Sequence, residues 1–593
     1  MGTQLVAVVA EGARTRHFLP TSPDHEVAAA RIQRPVDVPD TQLPKQALGF
    51  RVQGYGLNHH ADLFTNRQLV TMTTFCDLVG EARQLVLDTS ADQAYADAVA
   101  TCLTLSVGRL ANRGSSQCFW DAGRDNVQQV FARNALPMIW VFAEANPFST
   151  SSGNFTGQVE YLAEALEATP AKGRGVATQA DAATGPPLPA ACVATDPPYY
   201  DNVPYGDLSD FFYVWLRRAA GGLYPELFGT VLVPKTAELI AEPTRHGGWE
   251  EAAAFFRAGL QRSFKRLRET QVPGFPLTLF YAFKQAEDDG HGEASRVSTG
   301  WETMLEGLLN AGCAVTGTWP MRTEQAGGLR ELGRNSLASS IMLVCRPRPE
   351  NAGITDRRGF LGALKAELPA ALRDLQQGSI APVDLAQAAI GPGMAVFSRF
   401  AKVVEPSGEP MRVRIALGLV NQVLDEVLAE QEGEFDADTR WAIKWFEQFG
   451  LDEGPYGQAE VLATATNTSI GGLREAGILQ ARAGKVWLLG RKDLPSDWNP
   501  TADRRTPVWE VAQHLVKRLE ESGEQSAAEL LRGVGGLGDV ARDLAYRLFA
   551  VCERKKWTQE GLAFNSLVVS WPEIARRAGV APMPDAPVQQ TLA

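Results

Sequence analysis

The chain has 593 residues, of which 45% are hydrophobic and 21% are charged, and its formal net charge is -12. One hydrophobic core rarely organises a chain of this length, so about three to five domains are expected. The composition is that of an ordinary globular protein and excludes a disordered or fibrous one. The negative charge excludes a uniformly basic nucleic-acid coat, so any contact with DNA must be regional.

Cysteines and histidines show no metal-binding spacing. The seven cysteines are scattered singly, without a C-x-x-C pair, which predicts reduced thiols and neither a zinc nor a redox site. The adjacent pair His59-His60 is interpreted as part of a surface turn. The amino terminus does not resemble a signal peptide and no run of 18 apolar residues follows, so we expect a cytoplasmic protein.

The first third of the chain is predicted to be mostly helical. A short strand over 4–10 precedes proline-rich coil, which cannot continue regular structure. Apolar residues recur at helical spacing between 63 and 112, which predicts two or more buried helices. An apolar element over 135–149 and a helix over 157–168 follow. Residues 1–160 are therefore assigned to a mostly helical amino-terminal region.

The sequence period changes between residues 170 and 348, where short apolar strands alternate with helices. The predicted strands cover 175–179, 191–195, 277–283, 314–319 and 340–345, and the predicted helices cover 207–219, 249–270 and 300–311. This alternation indicates an α/β layer with a largely parallel sheet. Residues 161–348 are therefore assigned to one α/β subdomain.

The remainder is predicted to be mainly helical. We assign 349–435 to a helical linker, 436–492 to a winged-helix-like module and 493–593 to a carboxy-terminal helical region. The module combines several helices, one of which begins at Ser469, with a hairpin near 478–489. Its basic residues are Arg474, Arg482 and Lys485. Such modules bind DNA or connect proteins, and both roles remain open.

The segment ACVATDPPYYDN carries the most specific chemistry. It places Asp196, Pro197, Pro198 and Tyr199 directly after a predicted strand. In open α/β sheets, ligands bind beyond the carboxyl ends of the strands, which is where this tetrapeptide falls. The alternative is a simple turn after a strand, since aspartate and proline are both favoured in turns.

These four residues suit transfer of a methyl group to the N6 amine of adenine. The lone pair of that nitrogen is delocalised into the ring, so it is a poor nucleophile. The carboxylate of Asp196 and the rigid carbonyl of Pro197 can both accept from the NH2 group and concentrate the lone pair toward the incoming methyl. Tyr199 can stack on a base that has been flipped out of the duplex. The methyl donor is a sulfonium, so this chemistry requires no metal.

Several strings resemble the large adenine-specific DNA methylases found in anti-phage defence gene clusters. They include DPPYYDNVPYGDLSDFFYVWLRR, VPKTAEL (233–239), RHGGWE (245–250), GWETMLEGLLNAG (300–312) and NSLASSIMLVCRPR (335–348). The similarity begins near residue 55 and extends to 575, so it spans almost the whole chain. It implies DNA as substrate, S-adenosyl-L-methionine as cofactor and a class I methyltransferase (Rossmann-like) sheet within an α/β fold.

The resemblance also implies a place for the cofactor's adenine. In class I methyltransferases an acidic residue after the third strand accepts a hydrogen bond from the adenine amino group. Asp181-Ala182, which follows the predicted strand 175–179, occupies that position. The alternative interpretation is an exposed loop aspartate.

One departure from the family changes the expected function. In the family, a segment amino-terminal to this one carries a Gly-rich turn that wraps the methionine end of the cofactor. Nothing before Asp181 offers such a turn, and GVGGLG (533–538) lies far downstream in helical surroundings. The sheet is therefore predicted to be incomplete. Two interpretations follow. The chain is the catalytic half of a split enzyme whose partner polypeptide carries the Gly-rich motif. The alternative is a non-catalytic DNA-binding or scaffolding subunit of a defence complex, with other defence proteins as partners.

Four basic residues are candidate DNA ligands. Lys235, Arg245 and His246 lie in a predicted loop that contains two glycines and can contact phosphates near the target base. A solvated loop is the equal alternative. Lys284 follows the strand 277–283 and is expected to emerge on the ligand face of the sheet, toward DNA or a partner.

Overall fold

The fold is mixed α/β. A computed structural model describes residues 3–12, 15–47, 49–132, 134–169, 173, 175–185, 190–200, 203–281, 299–322 and 339–579. The chain forms two compact units, the first made of 1–186 with 200–256 and the second of 187–199 with 257–593. Within the described ranges, no helix has both the length and the apolar character needed to cross a membrane.

The first unit is mainly helical, with two short antiparallel hairpins. Its elements are β1 (Ala7–Glu11), β2 (Arg16–Pro20), α1 (Pro23–Ala30), α2 (Asn66–Ser90), α3 (Gln93–Ala111), β3 (Trp120–Asp121), β4 (Asn126–Val127), α4 (Phe155–Ala168), α5 (Tyr205–Ala220), α6 (Pro243–His246) and the first residues of α7 (Trp249–Thr270).

Helices α2, α3 and α5 surround the core of this unit, which confirms the buried helices predicted between 63 and 112. Thr65 begins α2 with a capping box, in which its hydroxyl accepts from the backbone N–H of Gln68 and the Gln68 side chain accepts in return. Trp215 of α5 is fully buried, and its ring meets that of Phe64 edge-on at 5.1 Å. Aromatic packing of this kind stabilises the core beyond simple burial.

The second unit contains a four-stranded sheet followed by helices. Its elements are β5 (Val193–Thr195), β6 (Leu277–Tyr281), α8 (Thr299–Asn310), β7 (Cys313–Arg322), β8 (Ser339–Pro347), β9 (Ile354–Asp356), α9 (Arg357–Gln377), α10 (Pro382–Ser398), β10 (Lys402–Val404), α11 (Val413–Glu430), α12 (Ala437–Phe449), β11 (Gly454–Pro455), α13 (Tyr456–Ala465), α14 (Ile470–Glu475), β12 (Leu479–Arg482), β13 (Lys485–Leu488), α15 (Val508–Val534), α16 (Leu537–Lys555) and α17 (Thr558–Ala578).

The strand order of this sheet is β5-β6-β8-β7. Strands β5 and β6 are parallel, whereas β8 is antiparallel to both of its neighbours. The prediction of a largely parallel sheet is therefore wrong for this half. The physical reason is that β8 lies between β6 and β7 and runs antiparallel to both, so two of the three strand contacts in this sheet are antiparallel. Helix α10 lies against β7, where Gly391 approaches so closely that a Cβ atom would overlap the Thr318 side chain.

Four predictions about local structure are corrected. Residues 175–179 are exposed coil rather than a strand, because no described strand pairs with them. Residues 135–149 form bends and coil, with one isolated bridge, instead of a regular element. The strand over 4–10 is β1, shifted and paired with β2 in a hairpin that was not predicted. His60 is 1% exposed, so it is a core residue and not part of a surface turn.

The carboxy-terminal part contains the element order predicted for a winged-helix-like module. Helix α12 is followed by β11, α13, α14 and the hairpin β12–β13, and the three strands pair in the order β11-β13-β12. The side chain of Ser469 caps α14 by accepting from the backbone N–H of Gly472. Helices α15, α16 and α17 then pack against one another.

Helix α15 carries a buried acid. Glu510 is 3% exposed, and its Oε2 atom has no hydrogen-bond partner among the described residues. Burial raises the pKa of Glu510 to about 8, with a further contribution from the charge of Asp503. The unfolded side chain has an ordinary pKa of 4.5. The folded chain therefore holds a proton that the unfolded chain releases, and stability falls as the pH rises from 4.5 to 8.

We expect Glu510→Gln to remove this loss of stability at high pH, because glutamine resembles the protonated acid. At about pH 8.5 the free energy of unfolding should rise by at most about 5 kcal/mol, since each unit of pKa difference is worth about 1.4 kcal/mol. At about pH 4 it should change little. Urea denaturation at both pH values measures the effect. Glu529→Gln, at an exposed position of the same helix, is the control. A pH-independent change in stability would contradict this account.

Candidate functional site

The Asp-Pro-Pro-Tyr segment begins one residue beyond β5. The register pairs Thr195 with Leu279, so β5 and β6 run side by side and in the same direction before this point. Asp196 is exposed and Pro197 is buried, while Pro198 and Tyr199 are half-buried. The carboxylate of Asp196 therefore faces solvent from a proline-anchored segment, at the carboxyl end of a parallel strand pair, where ligands bind in open sheets.

Tyr199 belongs to an aromatic cluster with the end of β6 and the first turn of α8. Its ring meets Tyr281 edge-on at 5.1 Å, and Tyr281 meets Trp301 edge-on at 5.0 Å. Tyr281 and Trp301 are 1% and 3% exposed. Because these two rings are fixed in the core, they restrict the orientations of the half-buried Tyr199 ring. This cluster was not predicted, although Trp301 lies in a string that resembles the methylase family and Tyr281 lies in the predicted strand 277–283.

Asp181 and Ala182 lie in a turn and not at the end of a strand. One carboxylate oxygen of Asp181 accepts from the backbone N–H of Ala183 at 2.8 Å, and the other accepts from the hydroxyl of Thr184. The backbone N–H of Gly185 donates to the carbonyl of Asp181. The side chain thus stabilises its own turn. Its role toward a cofactor stays a prediction.

Lys235 and Arg245 are held by carboxylates in the first unit. Lys235 Nζ lies 2.5 Å from Asp210 Oδ2, and Asp210 is fully buried. The guanidinium of Arg245 lies 2.5 Å from both Asp207 Oδ2 and Glu238 Oε2. Burial alone would lower the pKa of Arg245, but its hydrogen bonds to Glu238 and Asp207 raise it overall. These ion pairs therefore fix the positions of the Lys235 and Arg245 side chains.

These carboxylates are themselves anchored to the backbone near the start of α5. The N–H of Val233 donates to Asp210 at 2.8 Å, and the N–H of Gly206 donates to Glu238 at 2.8 Å. A Cβ atom at Gly206 would lie 2.6 Å from Glu238 Oε2, so a larger residue here would displace this carboxylate. Sequence reasoning missed Asp210 and Glu238 as site residues. The only available signal was their position in strings that resemble the methylase family.

Lys235, Arg245 and His246 come together around one cavity of about 820 Å³. His246 stacks on Phe255 with ring centres 4.1 Å apart and an angle of 24° between the planes. The remaining lining residues are Pro44, Lys45, Gln46, Asp207, Thr236 and Thr244. Lys284, the fourth predicted DNA ligand, lies outside the described residues.

The winged-helix-like module presents its basic residues at the surface. Arg474 and Arg482 are exposed, and Lys485 Nζ lies 2.6 Å from Glu453 Oε2. An exposed ion pair of this kind contributes little to stability. The described residues hold no cluster of three or more histidine, cysteine, aspartate or glutamate side chains suited to a metal ion.

The comparisons with known proteins give one match. A family model described as a domain of unknown function, DUF8807, matches residues 436–592. This range includes the winged-helix-like module and the helices α15 to α17. No curated protein and no solved structure matches the chain.

The paired carboxylates give a prediction for Arg245. We expect Arg245→Leu to destabilise the first unit by about 3–5 kcal/mol, because it leaves two partly or fully buried carboxylates without their cation. Urea denaturation of the full chain, followed by tryptophan fluorescence, measures the loss. Arg31→Leu is the matched control, since Arg31 is exposed and no ion pair joins it to a described residue. Equal stability of the two variants would contradict the structural role of Arg245.

Proposed function

We propose that this chain is the catalytic half of an S-adenosylmethionine-dependent DNA adenine N6-methyltransferase. In this proposal it acts with a partner polypeptide and serves anti-phage defence or DNA modification in the cytoplasm. The observation that carries the proposal is the exposed Asp196 carboxylate directly after β5, followed by the buried Pro197.

The chain's own residues would bind and orient the target base. Asp196 accepts a hydrogen bond from the N6 amino group, and the carbonyl of Pro197 accepts a second, which localises the nitrogen lone pair. Tyr199 stacks on the flipped base from an orientation restricted by Tyr281 and Trp301. When bound, S-adenosylmethionine supplies the electrophilic methyl group.

The residues present fit only part of this cofactor. Asp181 offers a carboxylate for the adenine amino group, although that carboxylate also accepts from Ala183 and Thr184 of its own turn. For the methionine end, the chain before Asp181 contains no Gly-rich turn. Strand β5 lies at one edge of its sheet, and among the described residues no strand pairs with its outer side. A partner polypeptide that continues the sheet at this edge would supply the missing part.

We expect Asp196→Ala to lower methylation of DNA by the mixture of this chain and its partner by about a hundred- to a thousandfold, because the proposal places Asp196 against the reacting amine. Transfer of tritiated methyl groups to duplex DNA is the measurement. The thermal unfolding midpoint should not change, because Asp196 is exposed. Asp374→Ala, at an exposed position on α9, should retain full activity. Intact methylation by Asp196→Ala would refute the assigned role.

The role of the partner has its own test. Calorimetric titration should detect S-adenosylmethionine binding to the mixture of both chains and at most weak binding to this chain alone. Binding of equal strength without the partner would refute the split site. If no mixture binds the cofactor, the chain is instead the non-catalytic DNA-binding or scaffolding subunit that its incomplete sheet also permits.

A further inference from the structure

The four-stranded sheet of the second unit has one sealed face. Side chains alternate between the two faces along each strand, and residues paired across strands share a face. Leu279, Leu343 and Thr318 therefore lie on one side. Helix α10 approaches that side at Thr318, and Trp301 packs on Tyr281 there. The residues that β6 and β8 place on this face are at most 1% exposed: Leu277, Leu279, Tyr281, Ile341, Leu343 and Cys345.

The opposite face is apolar and open to solvent. The register places six residues on it, and this set is named the open face: Ala194, Thr278, Phe280, Trp319, Met321 and Met342. Ala194 is exposed, while Trp319 and Met321 are 53% and 43% exposed. A Cβ atom at Gly317 would lie 3.8 Å from the Trp319 ring, so this ring lies along the open face. None of the six side chains is charged.

The open face adjoins an unpaired strand edge. It extends from β7 to β5, and among the described residues no strand pairs with the outer side of β5. Sheets in α/β folds usually have helices on both faces, and a contiguous exposed apolar patch marks an interaction site. An added strand would satisfy the backbone groups of the β5 edge, and helices attached to it would cover the apolar side chains.

The open face is too small to hold a partner by itself. Its four strands lie about 4.8 Å apart, and the five residues of β6 extend about 17 Å, so its area is about 250 Å². A stable interface buries about 800 Å² on each side. The occupant must therefore engage the edge of β5 in addition to the open face.

A second copy of this chain does not meet both requirements. Two copies paired antiparallel through β5 would form one wider sheet, with both open faces on the same uncovered side. Two copies packed face to face would cover the open faces and leave both β5 edges unpaired. Nucleic acid also fits less well, because sites for single strands combine stacking aromatic residues with a positively charged groove, and the open face carries no charge.

We propose that the open face and the outer edge of β5 form the docking surface for a different α/β polypeptide. This partner adds a strand beside β5 and packs the apolar sides of its helices on the open face. About two helices are needed, since one helix is about 10 Å wide and the face is about 15 Å wide. That the partner is the polypeptide with the Gly-rich cofactor turn rests on the proposed function, and this polypeptide is the probe in the tests.

We expect Trp319→Asp to weaken binding of this polypeptide to the full chain about tenfold or more, because a partly exposed tryptophan in an apolar patch is a typical hot spot. Met321→Asp should weaken it about threefold or more. Calorimetric titration measures both effects. Trp249→Asp is the matched control, since Trp249 is 65% exposed and lies on α7, outside the open face. The thermal unfolding midpoint of each variant shows that the fold is retained.

A second measurement needs no substitution. Methionine oxidation by hydrogen peroxide, followed by mass spectrometry, reports the accessibility of Met321 and Met342 in the chain alone and in the complex. We expect the partner to slow oxidation of both residues. Met138, a half-buried methionine of the first unit, should oxidise at the same rate in both states.

The outcomes distinguish the occupants. Weaker binding by Trp319→Asp and Met321→Asp, together with protection of Met321 and Met342, supports the docking surface. Lack of a complex, or a complex in which Met321 oxidises as fast as in the chain alone, overturns the proposal. It is equally overturned if Trp319→Asp converts a dimer of this chain to a monomer in sedimentation, or weakens binding of single-stranded DNA to the chain alone.

Failure of the docking surface is distinguishable from failure of the proposed function, because neither measurement uses S-adenosylmethionine or methyl transfer. A complex that protects Met321 but does not methylate DNA leaves the docking surface standing and refutes the proposed function. Methylation by a complex in which Met321 stays accessible refutes the docking surface alone.

Discussion

The parallel pairing of β5 with β6 is the constraint on which the proposed chemistry depends. Only three residue pairs form it, from Val193↔Leu277 to Thr195↔Leu279. This register ends β5 one residue before Asp196 and brings the end of β6, at Tyr281, beneath the ring of Tyr199. A shift by one residue would turn every side chain of β5 to the opposite face. The position of the carboxylate and the orientation of the aromatic ring therefore follow from one short strand contact.

The sequence predicted those elements whose pattern is local and strong. Helix α7 has the bounds 249–270 that its apolar spacing indicated, and the hairpin β12–β13 lies within 478–489. The predicted strand over 175–179 was wrong, because an apolar run becomes a strand only when another strand pairs with it. Hydrophobic periodicity does not indicate which segment will pair. The prediction for His60 was wrong for a related reason, since the buried ring contacts a distant segment, where the Thr41 hydroxyl lies 2.9 Å from Nδ1.

The candidate site was predictable only where it is contiguous in sequence. Asp196 to Tyr199 form one tetrapeptide, and its chemistry can be deduced from residue types alone. The cavity in the first unit is different, because its cations are positioned by carboxylates from other segments. Asp207 lies 38 residues before Arg245. The same loop sequence is compatible with a solvated loop or with an organised site, and only the buried Asp210 and Asp207 distinguish the two.

The charges around Lys235 and Arg245 bear on how a chain with net charge -12 would meet DNA under the proposed function. Asp207, Asp210 and Glu238 carry three negative charges against the two positive charges of Lys235 and Arg245, so this region does not attract a phosphate backbone at long range. The same ion pairs fix the direction of the remaining N–H groups, at the cost of burying carboxylates. Under the proposed function, initial attraction to DNA would come from another surface or from the partner polypeptide.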